Sequence, residues 1–142
     1  YKDGKMDIKT KGLQVFRLLE MIDVLPDKLY SGAIVNYPDN DEKGNRAVMK
    51  GIVTAIKELH KLLNIEKGFT MPENELWTDD VAHHAGLTLQ EEYELLQLLH
   101  ESQRQEYLKR HLTKVLPVLA EMELLKEKVK LNGHFKNLKG IE

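Results

Sequence analysis

Apolar and polar residues follow two different periods along the chain. Residues 6–10 alternate between apolar and charged side chains, the two-residue period of a half-buried strand. Longer apolar segments at 13–22 and 29–37 predict two further strands, and the proline at position 26 favours a turn over 25–28. The pattern therefore predicts β-structure from residue 5 to residue 37.

After a polar loop, apolar residues recur every three or four positions, as in an amphipathic helix. Asn45 is the predicted N-cap of a helix that runs to about Asn64. A short helix over 79–85, capped by Thr78, is predicted to end at Gly86. The buried stripe of the first helix is expected to be formed by Val48, Ile52, Ile56, Leu59 and Leu63.

Two more helices complete the prediction. Thr88–Glu91 has the sequence of a capping box and opens a helix. Ser102–Gln105 resembles another helix start, and a long helix follows toward Leu131, with a kink or break expected at Pro117. Asn132–Gly133 is a predicted helix stop. The buried side of the shorter helix is assigned to Leu89, Leu95, Leu96 and Leu99, with Tyr93 beside them.

These elements predict an α+β fold, with a small antiparallel sheet followed by a helical bundle that has a long final helix. The expected divisions are 1–40 for the sheet, 45–133 for the helical part and 134–142 for a tail. The 142 residues are 42% hydrophobic and 31% charged, enough apolar material for a core. The net charge of -2 lacks the basic excess of a nucleic-acid binder.

Few residues offer chemistry. The chain has no cysteine, which removes disulfides, thiolate zinc sites and cysteine nucleophiles. His83 and His84 are adjacent, so on a helix they point about 100° apart and do not chelate one ion easily. The acidic pairs Asp79–Asp80 and Glu91–Glu92 are favourable at helix starts without any function. We therefore expect no catalytic residue, no metal and no cofactor.

The loop from Glu66 to Trp77 concentrates large apolar residues between two helices. Such a cluster either plugs the core beneath it or stays exposed as a docking patch. Core plugging is favoured, because tryptophan is mostly buried on average. The docking alternative is the one residue-level hypothesis for substrate binding, and it assigns that role to Phe69, Met71 and Trp77.

Two segments and their order carry a resemblance to a known family. The first is residues 3–18, an Asp-Gly turn that leads into Lys-Gly-Leu-Gln-Val-Phe-Arg-Leu; the second is residues 80–97, with its Glu-Glu-Tyr-Glu-Leu-Leu helix. Together with the long helix from Arg104 to Lys130, they resemble the N-terminal, substrate-binding domain of Lon proteases. The resemblance covers nearly the whole chain, and residues 132–138 are similar to the C-terminal portion of small stand-alone bacterial Lon-domain proteins.

The resemblance implies a PUA-like β-barrel joined to a helical subdomain. It also implies a cytoplasmic, non-catalytic module that binds unfolded or degron-bearing polypeptide. Nothing in the chain resembles the ATPase or protease modules of Lon, so ATP-dependent proteolysis is not carried over. The alternative function is an RNA-binding or RNA-modification accessory, since PUA-like folds often contact RNA; the missing basic excess argues against it. No apolar segment reaches the ~20 residues of a membrane helix, and no membrane partner is expected.

The family's leading barrel strands have no counterpart here, and Asp3–Gly4 has the sequence of a hairpin turn with only two residues before it. We therefore expect the strand after the turn to lack an intramolecular partner. An open sheet edge binds other strands readily. This predicts that a neighbouring chain covers the edge, with self-association as one outcome.

Overall fold

The computed structural model describes residues 4–10 and 12–137, with side chains through residue 131. The chain forms two compact units, one over residues 1–40 and one over residues 41–142. The first unit holds the strands and the second holds the helices. The predicted α+β class is confirmed.

The first unit contains a two-stranded antiparallel sheet. Strand β1 is Arg17–Ile22 and strand β2 is Gly32–Asn36, with an irregularity in the register after Leu18. The predicted turn between them is confirmed. The Lys28 backbone N–H donates to the Leu25 carbonyl at 3.2 Å, and Asp27 takes a positive φ of 58°. Proline before a positive-φ residue is the arrangement of a type II turn.

The predicted strand at residues 6–10 is wrong, because these residues are irregular in the structure. The alternating side chains give this segment one apolar face. A strand also needs a neighbouring strand to accept and donate its backbone hydrogen bonds, and among residues 4–10 and 12–137 the segment pairs with none. The other two strands are shorter than predicted, beginning at Arg17 and Gly32 rather than at 13 and 29. The start of the Asp3–Gly4 hairpin lies outside the described residues.

The first unit buries little. Among its described residues, 4–10 and 12–40, none is fully buried. A sheet of two strands is at best marginally stable in water, and further strands or a packed helix normally cover its apolar side chains. At least half of the residue surface is accessible at Phe16, Leu18, Leu19, Met21, Val24, Leu29, Tyr30 and Tyr37.

The second unit begins with helix α1, Arg46–Leu62. The predicted N-cap is confirmed, since the Asn45 Oδ1 accepts the backbone N–H groups of Ala47 at 2.8 Å and Val48 at 3.2 Å. The predicted stripe is right at its centre and wrong at its end. Leu63 is 45% exposed, because the chain leaves the helix there and Asn64 adopts a φ of 54°.

Helix α2 is Thr78–Val81 and continues as one turn of 3-10 helix over Ala82–His84. The predicted stop at Gly86 is confirmed, with a φ of 71° that glycine adopts without strain. The predicted cap at Thr78 is wrong. Trp77 is the N-cap, and its backbone N–H donates to the Asp80 carboxylate at 2.9 Å. Thr78 directs its hydroxyl to a buried glutamate instead.

Helix α3 is Leu89–Leu96, and its predicted capping box is confirmed. The Glu91 N–H donates to the Thr88 hydroxyl at 3.3 Å, while the Glu91 carboxylate accepts the Thr88 N–H at 2.8 Å. The Thr88 N–H and the Thr88 hydroxyl both donate to the Glu91 carboxylate and lower the pKa of that carboxyl. The predicted buried side is mostly wrong. Leu95 is buried, but Leu89 is 84% exposed and Leu96 is 50% exposed.

Helix α4 is Glu101–Asn137. It begins one residue before Ser102, so the predicted helix start at Ser102 is one residue late. It also runs without a break through Pro117, which removes a single hydrogen bond in an exposed turn. The predicted stop at Asn132–Gly133 is wrong as well, since both residues are helical. Glycine lowers helix stability by only about 1 kcal/mol relative to alanine, so it does not by itself end a long helix.

Helices α1 and α4 pack together and carry most of the core. The two helices also meet the loop before α2, which contributes Leu76, and the end of α2, which contributes Val81. The buried apolar set is Met49, Ile52, Val53, Ile56, Leu59, Leu76, Val81, Ala85, Leu95, Leu108 and Leu112.

Candidate functional site

A groove runs along one side of α1, beside the loop that leads into α2. It encloses about 440 Å³ and is lined by Arg46, Met49, Lys50, Val53, Glu73 and Asn74. Met49 and Val53 form an apolar floor, each only 2% exposed. Charged side chains from α1 and the loop surround that floor. The groove can therefore hold an apolar group, with charged groups placed to contact the polar atoms around it.

Contacts at two ends hold the loop beside the groove. At one end, the Arg46 guanidinium carbon lies 3.5 Å from the centroid of the Trp77 ring, and the Arg46 Nη1 donates to the Leu76 carbonyl at 3.0 Å. Arginine over an indole face is the strongest common cation–π arrangement. At the other end, the Lys57 ammonium and the Glu73 carboxylate form a salt bridge. The groove is thus bounded on both sides by residues that also fix the loop.

The structure separates the three residues of the predicted docking cluster. Trp77 is half-buried and joins the groove through Arg46. Phe69 is half-buried, and its ring meets the His84 ring edge-on at 5.2 Å. Met71 is 39% exposed. The residue of this loop that is buried in the core is Leu76, which is 1% exposed. A docking role for Phe69, Met71 and Trp77 stays a prediction.

Two histidines bind the end of the 3-10 turn from different helices. The His60 Nε2 lies 3.2 Å from the carbonyl of His84, and the His111 Nε2 lies 3.2 Å from the carbonyl of Ala85. Terminal carbonyls of a helix lack intrahelical partners, so imidazole donors satisfy them. In the described part of the chain, no three His, Asp or Glu side chains are placed to hold a metal ion. The positions of these histidines fit a packing role.

His84 is buried close to the basic side chains of His83, His60 and Lys67. Its ring lies 4.1 Å from the His83 ring and 5.3 Å from the His60 ring. Burial, followed by repulsion from His83, Lys67 and His60, lowers the pKa of His84 below its ordinary value of 6.5. The folded state therefore favours the neutral ring.

This shift predicts acid sensitivity. A base whose pKa is lower in the folded state than in the unfolded state destabilises the fold when it is protonated. Its full contribution to stability is present above the unfolded-state pKa, about 6.5, and is lost as pH falls through the folded-state pKa. The free energy of unfolding should fall between pH 7 and pH 5, by at most about 1.4 kcal/mol per pH unit for one proton. Urea denaturation of the native chain and of His84→Phe across this range checks the prediction. The variant should show a shallower dependence; equal slopes would contradict it.

A cluster of polar side chains is buried between α2 and α4. The exposed fractions are 0% for Thr78, 1% for Glu101, 3% for Arg104 and 1% for Gln105. The Glu101 carboxylate accepts the Thr78 hydroxyl at 2.5 Å and the Thr78 backbone N–H at 3.2 Å. It also pairs with the Arg104 guanidinium, whose Nη2 lies 3.0 Å away. Glu101 is therefore surrounded by donors and has a structural role.

The cluster also reaches the start of α1 and the end of α3. The Gln105 Oε1 accepts the backbone N–H of Asn45 at 2.9 Å, and the Arg104 Nη1 donates to the Leu98 carbonyl at 2.8 Å. Sequence reasoning missed this cluster. The signal was present, because Glu101, Arg104 and Gln105 lie at helical spacing on the same face as the buried Leu108. Polar residues on an apolar face indicate a buried network.

Comparisons with protein-family models, with curated proteins and with solved structures find no match to this chain. Within the residues that the structure describes, no helix is both long and apolar enough to cross a membrane.

Proposed function

We propose that this chain is a non-catalytic recognition module for unfolded or degron-bearing polypeptide, and that the groove beside α1 holds an apolar client side chain. The observation that carries the proposal is the groove itself, an apolar floor with a charged rim at a volume within the ~300–1,000 Å³ range of binding pockets. An unfolded client offers apolar side chains together with free backbone polar groups. The apolar floor can bind the apolar side chains, and Arg46, Lys50 and Glu73 can bind the backbone polar groups.

The resemblance to the Lon substrate-binding domain supports the same proposal from the sequence. It adds the expectation that β1 and β2 belong to a larger, PUA-like barrel. The exposed apolar side chains of the two strands support that expectation, since further strands would remove them from water. Strands of a neighbouring chain would cover them.

The binding proposal predicts a measurable affinity for a permanently unfolded protein. Fluorescence anisotropy with labelled, reduced and carboxymethylated α-lactalbumin should give a dissociation constant in the micromolar range or weaker, because ordering the client costs conformational entropy. Lys50→Glu should weaken binding about tenfold, about 1.4 kcal/mol, by placing a negative charge at the rim facing an acidic client. Lys61→Glu, on the same helix but outside the groove lining, is the matched control.

Trp77→Ala tests the other end of the groove. It removes the surface on which Arg46 rests and should weaken client capture to a similar degree. Melting temperature must be measured on the same protein, because loss of a core tryptophan costs roughly 3–5 kcal/mol. A large fall in melting temperature would assign Trp77 to the core and remove it from the docking site. Tight, strongly salt-dependent binding of single-stranded RNA, with no client binding, would favour the RNA alternative.

A further inference from the structure

The second half of α4 carries an apolar stripe that its own unit leaves exposed. Val118 is 57% exposed, Met122 49%, Leu125 54% and Val129 70%. Their spacing of four, three and four residues is a heptad pattern. At 100° per residue, the four side chains fall within an arc of about 60° on the helix surface. We call these four residues the α4 stripe.

The surroundings of the first half of α4 limit how a second helix can pack on the α4 stripe. Helix α3 lies on the same face as the α4 stripe, nearer the start of α4. The Tyr107 hydroxyl donates to Glu94 at 3.0 Å, and the His111 Nδ1 lies 3.5 Å from the Glu91 carboxylate. A second α4 running parallel would place two copies of α3 between the paired helices. In an antiparallel copy, position 111 faces position 136, near the end of the partner's α4, so neither α3 lies between the two stripes.

We infer that the α4 stripe binds the same stripe of a second copy of this chain in an antiparallel helix pair. Val118 then faces Val129 of the second copy, and Met122 faces Leu125 of the second copy. Because the pairing is two-fold symmetric, each of these contacts occurs twice. All four stripe residues are covered by their counterparts.

The charges beside the stripe are complementary in this arrangement. Glu121 and Lys128 lie one heptad apart on the same flank, about 80° from the centre of the stripe. In the antiparallel pair, Glu121 of one copy is opposite Lys128 of the other, again twice. In a parallel pair these two residues would not face each other.

The contact is short, and this sets its strength. From Val115 to Leu131 the helix spans about 24 Å. Two helices packed over that length remove on the order of 1,000 Å² from solvent, the lower end of specific interfaces. The dimer should therefore form with a dissociation constant in the micromolar range. It should be visible as a concentration-dependent change in mass.

Sedimentation equilibrium of the full chain between about 1 and 200 µM tests the inference. We expect the mass to rise from monomer toward dimer. Leu125→Glu should shift the dissociation constant at least tenfold toward monomer. Leu124→Glu is the matched control: Leu124 is 63% exposed, more than Leu125, but lies on the far side of the helix. A monomer at all concentrations, or equal effects of the two variants, would overturn the inference.

A charge exchange tests the orientation. Glu121→Lys and Lys128→Glu should each weaken the dimer, since each creates two like-charge pairs. The double variant should restore association, because the two positions then carry opposite charges again, with their signs exchanged. Failure to restore it would overturn the antiparallel arrangement. Circular dichroism of every variant establishes that helix content is kept.

Discussion

Replacing Glu101 with alanine should destabilise the helical unit by about 3–5 kcal/mol. The substitution leaves the Arg104 guanidinium 3% exposed without its closest counter-charge, and removing one partner of a buried ion pair has effects of this size. It also removes the acceptor of the Thr78 backbone N–H and hydroxyl, which fixes the start of α2. Urea denaturation followed by circular dichroism measures the change.

Glu106→Ala is the control for Glu101→Ala. Glu106 is on the same helix, its side chain is 67% exposed, and its contact with Lys109 is 3.7 Å long. Exposed pairs of this kind contribute little, so stability should change by less than about 1 kcal/mol. If Glu101→Ala unfolds at the same urea concentration as Glu106→Ala, Glu101 is not buried against Thr78 and Arg104.

Replacing Gly44 with alanine should destabilise the same unit by roughly 1–3 kcal/mol, the usual effect of an overpacked site. A Cβ at this position would lie 2.5 Å from the Gln105 Nε2 and 2.5 Å from the Glu101 Cγ. Gln105 is 1% exposed and accepts the Asn45 N–H, so it cannot move aside without breaking the start of α1. The melting temperature should fall accordingly.

Gly51→Ala is the opposite case within the same unit. Gly51 lies inside α1, and a Cβ there would meet nothing within 4 Å. Alanine favours helix over glycine by about 0.5–1 kcal/mol, so this variant should be more stable than the native chain. If both glycine variants change stability in the same direction, the close packing around Gly44 is wrong.

The sequence predicted helix ends correctly where a residue next to the helix end makes the cap. Asn45 and the Thr88–Glu91 box are confirmed for this reason, as is the positive φ of Gly86. Residues that only lower helix stability, such as proline and glycine, were poor predictors of where a helix ends. Pro117 and Gly133 both lie inside α4. The helix continues through them because its first half packs against the core and because it is long.

Predictions of burial failed where they required knowledge of which elements meet. Leu89 and Leu96 lie at helical spacing, yet only Leu95 of that predicted set in α3 is fully buried. The groove beside α1 could not be predicted either, because Glu73 and Asn74 reach it through an irregular loop. The Glu101 cluster was accessible to sequence reasoning, since its members share a face with Leu108. Most charged residues in proteins are exposed, so a charged residue on an apolar helix face is the less common case.

Hydrogen-exchange mass spectrometry with and without reduced, carboxymethylated α-lactalbumin tests the recognition proposal most directly. The proposal predicts slower exchange in the first two turns of α1, residues 46–53, and in the 73–77 segment, the two parts of the chain that form the groove. Lys50→Glu should abolish most of this protection at the same client concentration. Client-dependent protection confined to residues 118–131, or absent from the whole helical unit, would contradict the assignment of the groove as the binding site.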